Sequence, residues 1–201
     1  MVTKILQQNT NLNISATKTV LFKAGTIVTI DNLGHVKTGT LAANTNLNIN
    51  YTSTTVCFKG GTPVTFSGLI LSNICVVTTG TLASNTNLSI NYSGAWVCFQ
   101  AGAVVVFSGN ILNNVNLLTT GTLAGNTNLA INYAGGWVSF KAGTPVTFSG
   151  NILSNINVIK TGTLAGNTTL YISHTKTAIF AAGTTVTFSG NILNNINPVS
   201  T

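Results

Sequence analysis

The chain states nearly the same sentence five times. Thr81-Leu82-Ala83-Ser84-Asn85-Thr86-Asn87-Leu88 returns as Thr122-Leu123-Ala124-Gly125-Asn126-Thr127-Asn128-Leu129 and again from Thr163, with earlier copies starting at Thr40 and, more eroded, near Ile5. A period of about 41 residues places the copies at roughly 5–39, 40–80, 81–121, 122–162 and 163–201. Equivalent units bury their apolar faces against neighbours and spread their surface evenly, which suits binding, scaffolding or assembly better than one asymmetric active site. No linker or shift in composition interrupts the 201 residues, so a single all-β domain over 1–201 is expected.

Within a copy the apolar residues recur with a period of two. Leu129 and Ile131, Val138 and Phe140, and Val146 and Phe148 alternate with Thr, Ser and Asn, the pattern of strands with one buried and one wet face. The columns persist along the chain: Phe22, Phe58, Phe99, Phe140 and Phe180 form one, Val28, Val64, Val105, Val146 and Val186 another, and Leu12, Leu47, Leu88, Leu129 and Leu170 a third. No useful amphipathic helix is visible.

A shorter echo suggests the architecture. Lys141-Ala142-Gly143-Thr144 is answered by Lys160-Thr161-Gly162-Thr163, and Gly121, Gly143 and Gly162 stand 22 and then 19 residues apart. A half-period near 20 residues predicts a β-solenoid, or β-helix, with Gly-Thr at corners where the chain bends and Asn at others, where stacked amides form ladders. The alternative is a five-bladed β-propeller, with Lys141-Ala142-Gly143 as a three-residue hairpin setting Val138 opposite Val146. The first and last copies share Ile-Ser-x-Thr-Lys-Thr at Ile14–Thr19 and Ile172–Thr177, which reads as charged caps in a solenoid or adjacent blades in a ring.

Charged residues are 4% of the chain: eight lysines, no arginine and one acid, Asp31. Although the net charge is +7, the lysines are dispersed and no arginine is present for bidentate phosphate or guanine contacts, which argues against nucleic acid. An anionic surface or an acidic glycan is the milder reading of a diffuse positive field. The N-terminus has no continuous apolar run and no segment is long enough to span a bilayer as a helix, so manufacture in a cytoplasm without a leader is expected. Three cysteines, Cys57, Cys75 and Cys98, argue against a disulfide framework, and Ser139 at the position of Cys57 and Cys98 shows that no thiol is required there.

Chemistry is sparse. Asp31 and His35 are close in sequence but fall in the most eroded copy, where the Ser-Gly-Asn-Ile-Leu turn is shortened, and they read as a surface turn with Asp capping its own backbone. His174 reads as a surface substitution. The cysteines are one apiece in separate segments, short of the close ligand spacing of a zinc site. The glycine turns lack the spacing and following helix of a phosphate loop. No catalytic residue, metal site or cofactor is expected.

The aromatic residues carry the one specific signal. Tyr51, Tyr92 and Tyr133 recur at 41 residues, as do Trp96 and Trp137, with Thr55 in the corresponding place of the second copy. Trp137 adjoins inward Val138 and should point outward, where it can stack on a sugar ring or lock into a subunit; the competing reading is Tyr–Trp stacking along the sheet. These five aromatics are the candidate contact surface. Outward Thr29, Thr65, Thr147 and Thr187 suggest an ice-binding row, weakened by Val106 and by interruption from the tryptophans. Glycosylation patterns at Asn13, Asn50, Asn91 and Asn167 are expected by chance in so Asn- and Thr-rich a chain.

The functional expectation is a non-enzymatic structural protein, a homo-oligomer or part of a larger symmetric assembly. Few charged residues, free thiols and regular β repeats fit a virus or phage surface component, a decoration or fibre protein that ends in a virion or other extracellular assembly. The alternatives are a carbohydrate-binding repeat lectin and a cell-surface layer or appendage subunit.

Overall fold

The structure is a computed structural model describing residues 1–67, 73–109, 111, 113–150, 155–192 and 194–200. The later residues of the Ser-Gly-Asn-Ile-Leu turns in the middle copies lie outside the described residues. Twenty short strands and no helix are present among the described residues. The alternation of apolar and polar side chains sets this outcome, because each four- or five-residue run can bury one face only as a strand.

Contacts divide the chain into two compact units, Met1–Thr86 with Ala101–Asn116, and Asn87–Gln100 with Leu117–Thr201. The division runs through the copy at 81–121. The strands of the first half are β1 (Val2–Ile5), β2 (Thr10–Asn13), β3 (Thr19–Phe22), β4 (Ile27–Ile30), β5 (Val36–Thr40), β6 (Thr45–Asn48), β7 (Thr55–Phe58), β8 (Pro63–Phe66), β9 (Val77–Thr81) and β10 (Thr86–Ser89). Then follow β11 (Trp96–Phe99), β12 (Val104–Phe107), β13 (Leu118–Thr122), β14 (Thr127–Ala130), β15 (Trp137–Phe140), β16 (Pro145–Phe148), β17 (Ile159–Thr163), β18 (Thr168–Tyr171), β19 (Thr177–Phe180) and β20 (Thr185–Thr187).

Ten strands belong to the large antiparallel sheet, and the other ten form five two-stranded ribbons. In the first unit the sheet strands run β1-β4-β5-β8-β9-β12, with β2–β3 and β6–β7 as ribbons. In the second they run β13-β16-β17-β20, with ribbons β14–β15 and β18–β19; β10–β11 is a further ribbon. Among the described residues no four consecutive strands lie side by side in one sheet. Of the strands in the copy at 40–80, β8 joins the sheet between β5 and β9 while β6 and β7 form a ribbon outside it.

Ribbon and sheet meet at one recurring contact. A Cβ on Gly39 of β5 would lie 2.6 Å from Cδ1 of Phe22, and one on Gly80 of β9 would lie 2.5 Å from Cδ1 of Phe58. In the second unit the same nest joins Gly121 to Phe99 and Gly162 to Phe140, at 2.6 Å each. The ribbon phenylalanine thus fills the space that a glycine leaves on the sheet, and all four rings are fully buried. Backbone bridges from Phe22 to Leu41, Phe58 to Leu82, Phe99 to Leu123 and Phe140 to Leu164 fix the rings in register. Phe180 has no such glycine above it and is only half-buried.

These placements correct the half-repeat. Gly143 sits in a turn with φ of 71°, a left-handed conformation that favours glycine, whereas Gly121 and Gly162 lie inside strands under phenylalanine rings. The two kinds of glycine serve different needs, so 20-residue coils are not equivalent, and the described pairings are antiparallel rather than the parallel stacking of such coils. Lys141-Ala142-Gly143 is also not a hairpin. It carries the chain from ribbon strand β15 to sheet strand β16, and Val138 lies opposite Leu129 while Val146 lies opposite Gly121.

Asparagine holds these crossings. Oδ1 of Asn126 accepts the Ala142 N–H at 2.8 Å, and Asn9, Asn44, Asn85 and Asn167 do the same for Ala24, Gly60, Ala101 and Ala182. The expected ladder of stacked amides is therefore replaced by side chain to backbone bonds, which satisfy the N–H groups that the turn leaves unpaired.

Candidate functional site

Each ribbon of the middle copies closes over an asparagine. Oδ1 of Asn91 accepts the Ala95 N–H at 2.9 Å and the Ser93 hydroxyl at 2.9 Å, and Oδ1 of Asn132 accepts the N–H groups of Ala134 and Gly136 at 3.1 and 2.9 Å. Such Asx turns form wherever a short amide side chain can reach the backbone two to four residues on. Asn50 builds the same turn with Thr52 and Thr54. Asn50 and Asn91 are buried in the act, so the glycosylation pattern there falls on side chains already engaged by the fold.

Tryptophan follows two of these turns directly. Trp96 opens β11 and Trp137 opens β15, each next to a buried valine and each pointing outward, 58% and 61% exposed. Their indole N–H edges lie over the turn glycines: a Cβ on Gly94 would come 3.5 Å from Nε1 of Trp96, and one on Gly135 would come 3.4 Å from Nε1 of Trp137. Both glycines have φ near 80°, at 80° and 81°. In the second copy the same turn is followed by exposed Thr55. The turn therefore does not need an indole.

In the second unit the two tryptophans border one cleft of about 440 Å³. Asn91 and Ser93 come from the first Asx turn, Asn128 from β14, and Asn155 and Asn157 from the loop before β17. None of the lining residues carries a charge. Asn157 is fixed: its Oδ1 accepts the Ser149 hydroxyl at 2.9 Å and the Gly150 N–H at 3.2 Å, and its Nδ2 faces the Leu118 carbonyl at 3.5 Å. Asn128 and Asn155 are exposed.

Trp96 and Trp137 share the cleft, but no tyrosine lines it. Tyr133 lines a separate cleft of about 240 Å³ with Ser149, Lys160 and Ser189, and Tyr51 and Tyr92 are half-buried at the equivalent sequence position within their own Asx turns. Sequence reasoning missed the asparagines. Their signal was present, since Asn114-Val115-Asn116, Asn155-Ile156-Asn157 and Asn195-Ile196-Asn197 repeat, with Asn73-Ile74-Cys75 as the variant copy. Asn73, Asn114, Asn155 and Asn195 all have positive φ, between 59° and 62°.

The threonines form longer rows than expected. Thr29 pairs with Thr38, Thr38 with Thr65 and Thr65 with Thr79 in the first unit, and Thr120, Thr147, Thr161 and Thr187 pair successively in the second. The tryptophans stand on ribbons and do not interrupt these rows. Thr163 and Thr185 hydroxyls lie 3.0 Å apart, and those of Thr161 and Thr187 lie 3.4 Å apart, close enough to satisfy one another.

Titratable groups lie elsewhere. Asp31 caps its own turn, accepting the N–H groups of Leu33 and His35 at 2.9 Å each, and its second oxygen pairs with Nζ of Lys37 at 3.0 Å. Burial pushes its pKa up, but the His35 N–H, the Lys37 ammonium and the Leu33 N–H together outweigh burial and hold the carboxyl below its ordinary value. Nδ1 of His35 is buried without a hydrogen-bond partner. His174 is exposed. Cys75 is buried, and Cys57 and Cys98 are half-buried free thiols. Among the described residues no three His, Cys, Asp or Glu side chains gather as a metal site, and no helix is long and apolar enough to cross a membrane.

No protein family, curated protein or solved structure matches this chain.

Proposed function

We propose that this chain is a non-enzymatic structural protein, a β-repeat element that joins a homo-oligomer or larger symmetric assembly at the surface of a virus or phage particle. The carrying observation is the recurring nest of a ribbon phenylalanine over a sheet glycine at Phe22/Gly39, Phe58/Gly80, Phe99/Gly121 and Phe140/Gly162. Equivalent rigid modules of this kind present equivalent outward faces, and symmetric assembly exploits repeated faces. Native mass measurement on the purified chain should show a closed oligomer, and antibody labelling should place the protein on purified particles. A strict monomer, or labelling confined to cell surfaces, would count against it.

The proposed architecture is additive in the manner of a solenoid, with the five copies of about 41 residues, rather than half-copies, as the stacking element. Support comes from the sheet order of the first unit, where β8 pairs with β5 behind it and β9 ahead of it, while a five-bladed ring needs each copy to close its own blade. Excising residues 122–162, one full period, tests this. An additive stack should still fold cooperatively with reduced stability, whereas a closed ring should lose its folded state.

A further inference from the structure

The geometry points to the cleft between Trp96 and Trp137 as a binding site for a neutral oligosaccharide, engaged through the faces of its pyranose rings. This goes beyond the assembly reading and does not depend on it. The tryptophans are the first argument. Two exposed indoles bordering one cleft make an apolar patch, and the second copy shows that threonine satisfies the same turn at Thr55, so folding does not account for tryptophan at these places.

The second argument is preorganisation. Asn91 and Asn132 fix the backbone ahead of each tryptophan, and the indole edges rest on Gly94 and Gly135, so the rings are held rather than swinging freely. Holding an aromatic in place before the ligand arrives removes an ordering cost from binding. Sugar rings present C–H faces that stack on indole and rim hydroxyls that seek amides. Asn128 and Asn155 line the same cleft with exposed amides, each offering both donor and acceptor.

The third argument is charge and size. A cleft without one charged lining residue offers a sulfate or carboxylate no ion pair to offset its desolvation, which favours a neutral glycan there despite the diffuse positive field of the chain. Its volume of about 440 Å³ falls within the range of about 300–1,000 Å³ usual for small-molecule sites.

Because the chain has only two tryptophans, tryptophan emission excited beyond the absorption of its four tyrosines reports this cleft alone. The full-length chain would be titrated with gluco-, chito- and malto-oligosaccharides and with a sulfated counterpart, by tryptophan fluorescence and calorimetry. At least one neutral series should shift the emission and bind at one site per chain, and the sulfated sugar should bind more weakly. Trp96→Thr and Trp137→Thr, which put after each turn the residue type that Thr55 supplies in the second copy, should keep the thermal midpoint and lose about tenfold or more in affinity. Asn155→Gly, which tolerates the positive φ of that position, should weaken binding and keep the thermal midpoint. No binding by any neutral series at millimolar concentration, or equal binding by the double tryptophan variant, would overturn the proposal. So would tryptophan variants whose only effect is a smaller native mass, which would assign the cleft to a second copy of the chain.

Discussion

Close packing at single residues sets the tolerance of this fold. Gly121 shows how: an added Cβ would stand 2.6 Å from Cδ1 and 2.9 Å from Cε1 of Phe99, and 3.3 Å from Cδ2 of Leu118. Phe99 is fully buried, and the contacting atoms belong to its ring rather than to the far end of a flexible side chain. Gly121→Ala should therefore lower stability by about 1–3 kcal/mol through overpacking, read as a lower thermal midpoint, and Phe99→Leu in the same chain should recover part of the loss. An unchanged midpoint in the single variant would mean that the nest is loose. Cys75 illustrates a different control. Burial pushes its thiol up to about 11, with nearby Asp31 adding to the rise and Lys37 and a hydrogen bond with Ser67 opposing it. Near pH 8 it should stay a thiol and resist iodoacetamide, while half-buried Cys57 and Cys98 react, as peptide mass mapping would show. Equal labelling of all three in the native protein would contradict the burial.

The elements are joined by asparagines of two kinds, and the difference is measurable. Asn157 is 1% exposed and clamps the loop after β16 to the Leu118 carbonyl of β13, so its removal takes a buried amide from that carbonyl and releases the loop. Asn126 makes one exposed bond to the Ala142 N–H, which water can replace. Asn157→Ala should cost about 1–3 kcal/mol and Asn126→Ala about 0.5–1.5 kcal/mol, compared by denaturant midpoints. A reversed order would remove the clamp from the account. At this scale the sequence is informative about strands and poor about partners. The alternation around Val138 and Phe140 gives a strand with Trp137 outward, because side-chain direction depends only on local parity. Pairing is not local. Lys141-Ala142-Gly143-Thr144 and Lys160-Thr161-Gly162-Thr163 look alike as strings, yet one bends with a positive φ and the other runs straight beneath a phenylalanine, a distinction decided by what packs above. The cleft is half-visible in the sequence for the same reason: parity exposes the tryptophans, but bringing Asn155 beside Trp137 requires the loop before β17 to return across the ribbon.

Across the whole molecule, electrostatics reduces to very few groups. The chain holds one side-chain carboxylate against eight lysines, and that carboxylate is placed where the fold can use it: Asp31 accepts two backbone N–H groups and pairs with Lys37. Its folded pKa lies below the unfolded value, so its contribution is fully present above the unfolded pKa and disappears as pH falls through the folded one. Stability should accordingly decline on the acid side of that window, in a protein with no other acidic side chain to share the effect. Asp31→Asn should lower the neutral-pH stability by about 1–2 kcal/mol, since the Lys37 pair and one charge-assisted cap are lost, and should flatten the decline below pH 5 relative to wild type. Thermal midpoints of both proteins across the acid range give the comparison. Parallel curves would show that acid acts through the rising positive charge of the whole chain and not through Asp31; a wild-type decline absent from the variant assigns the acid sensitivity of a 201-residue fold to one residue.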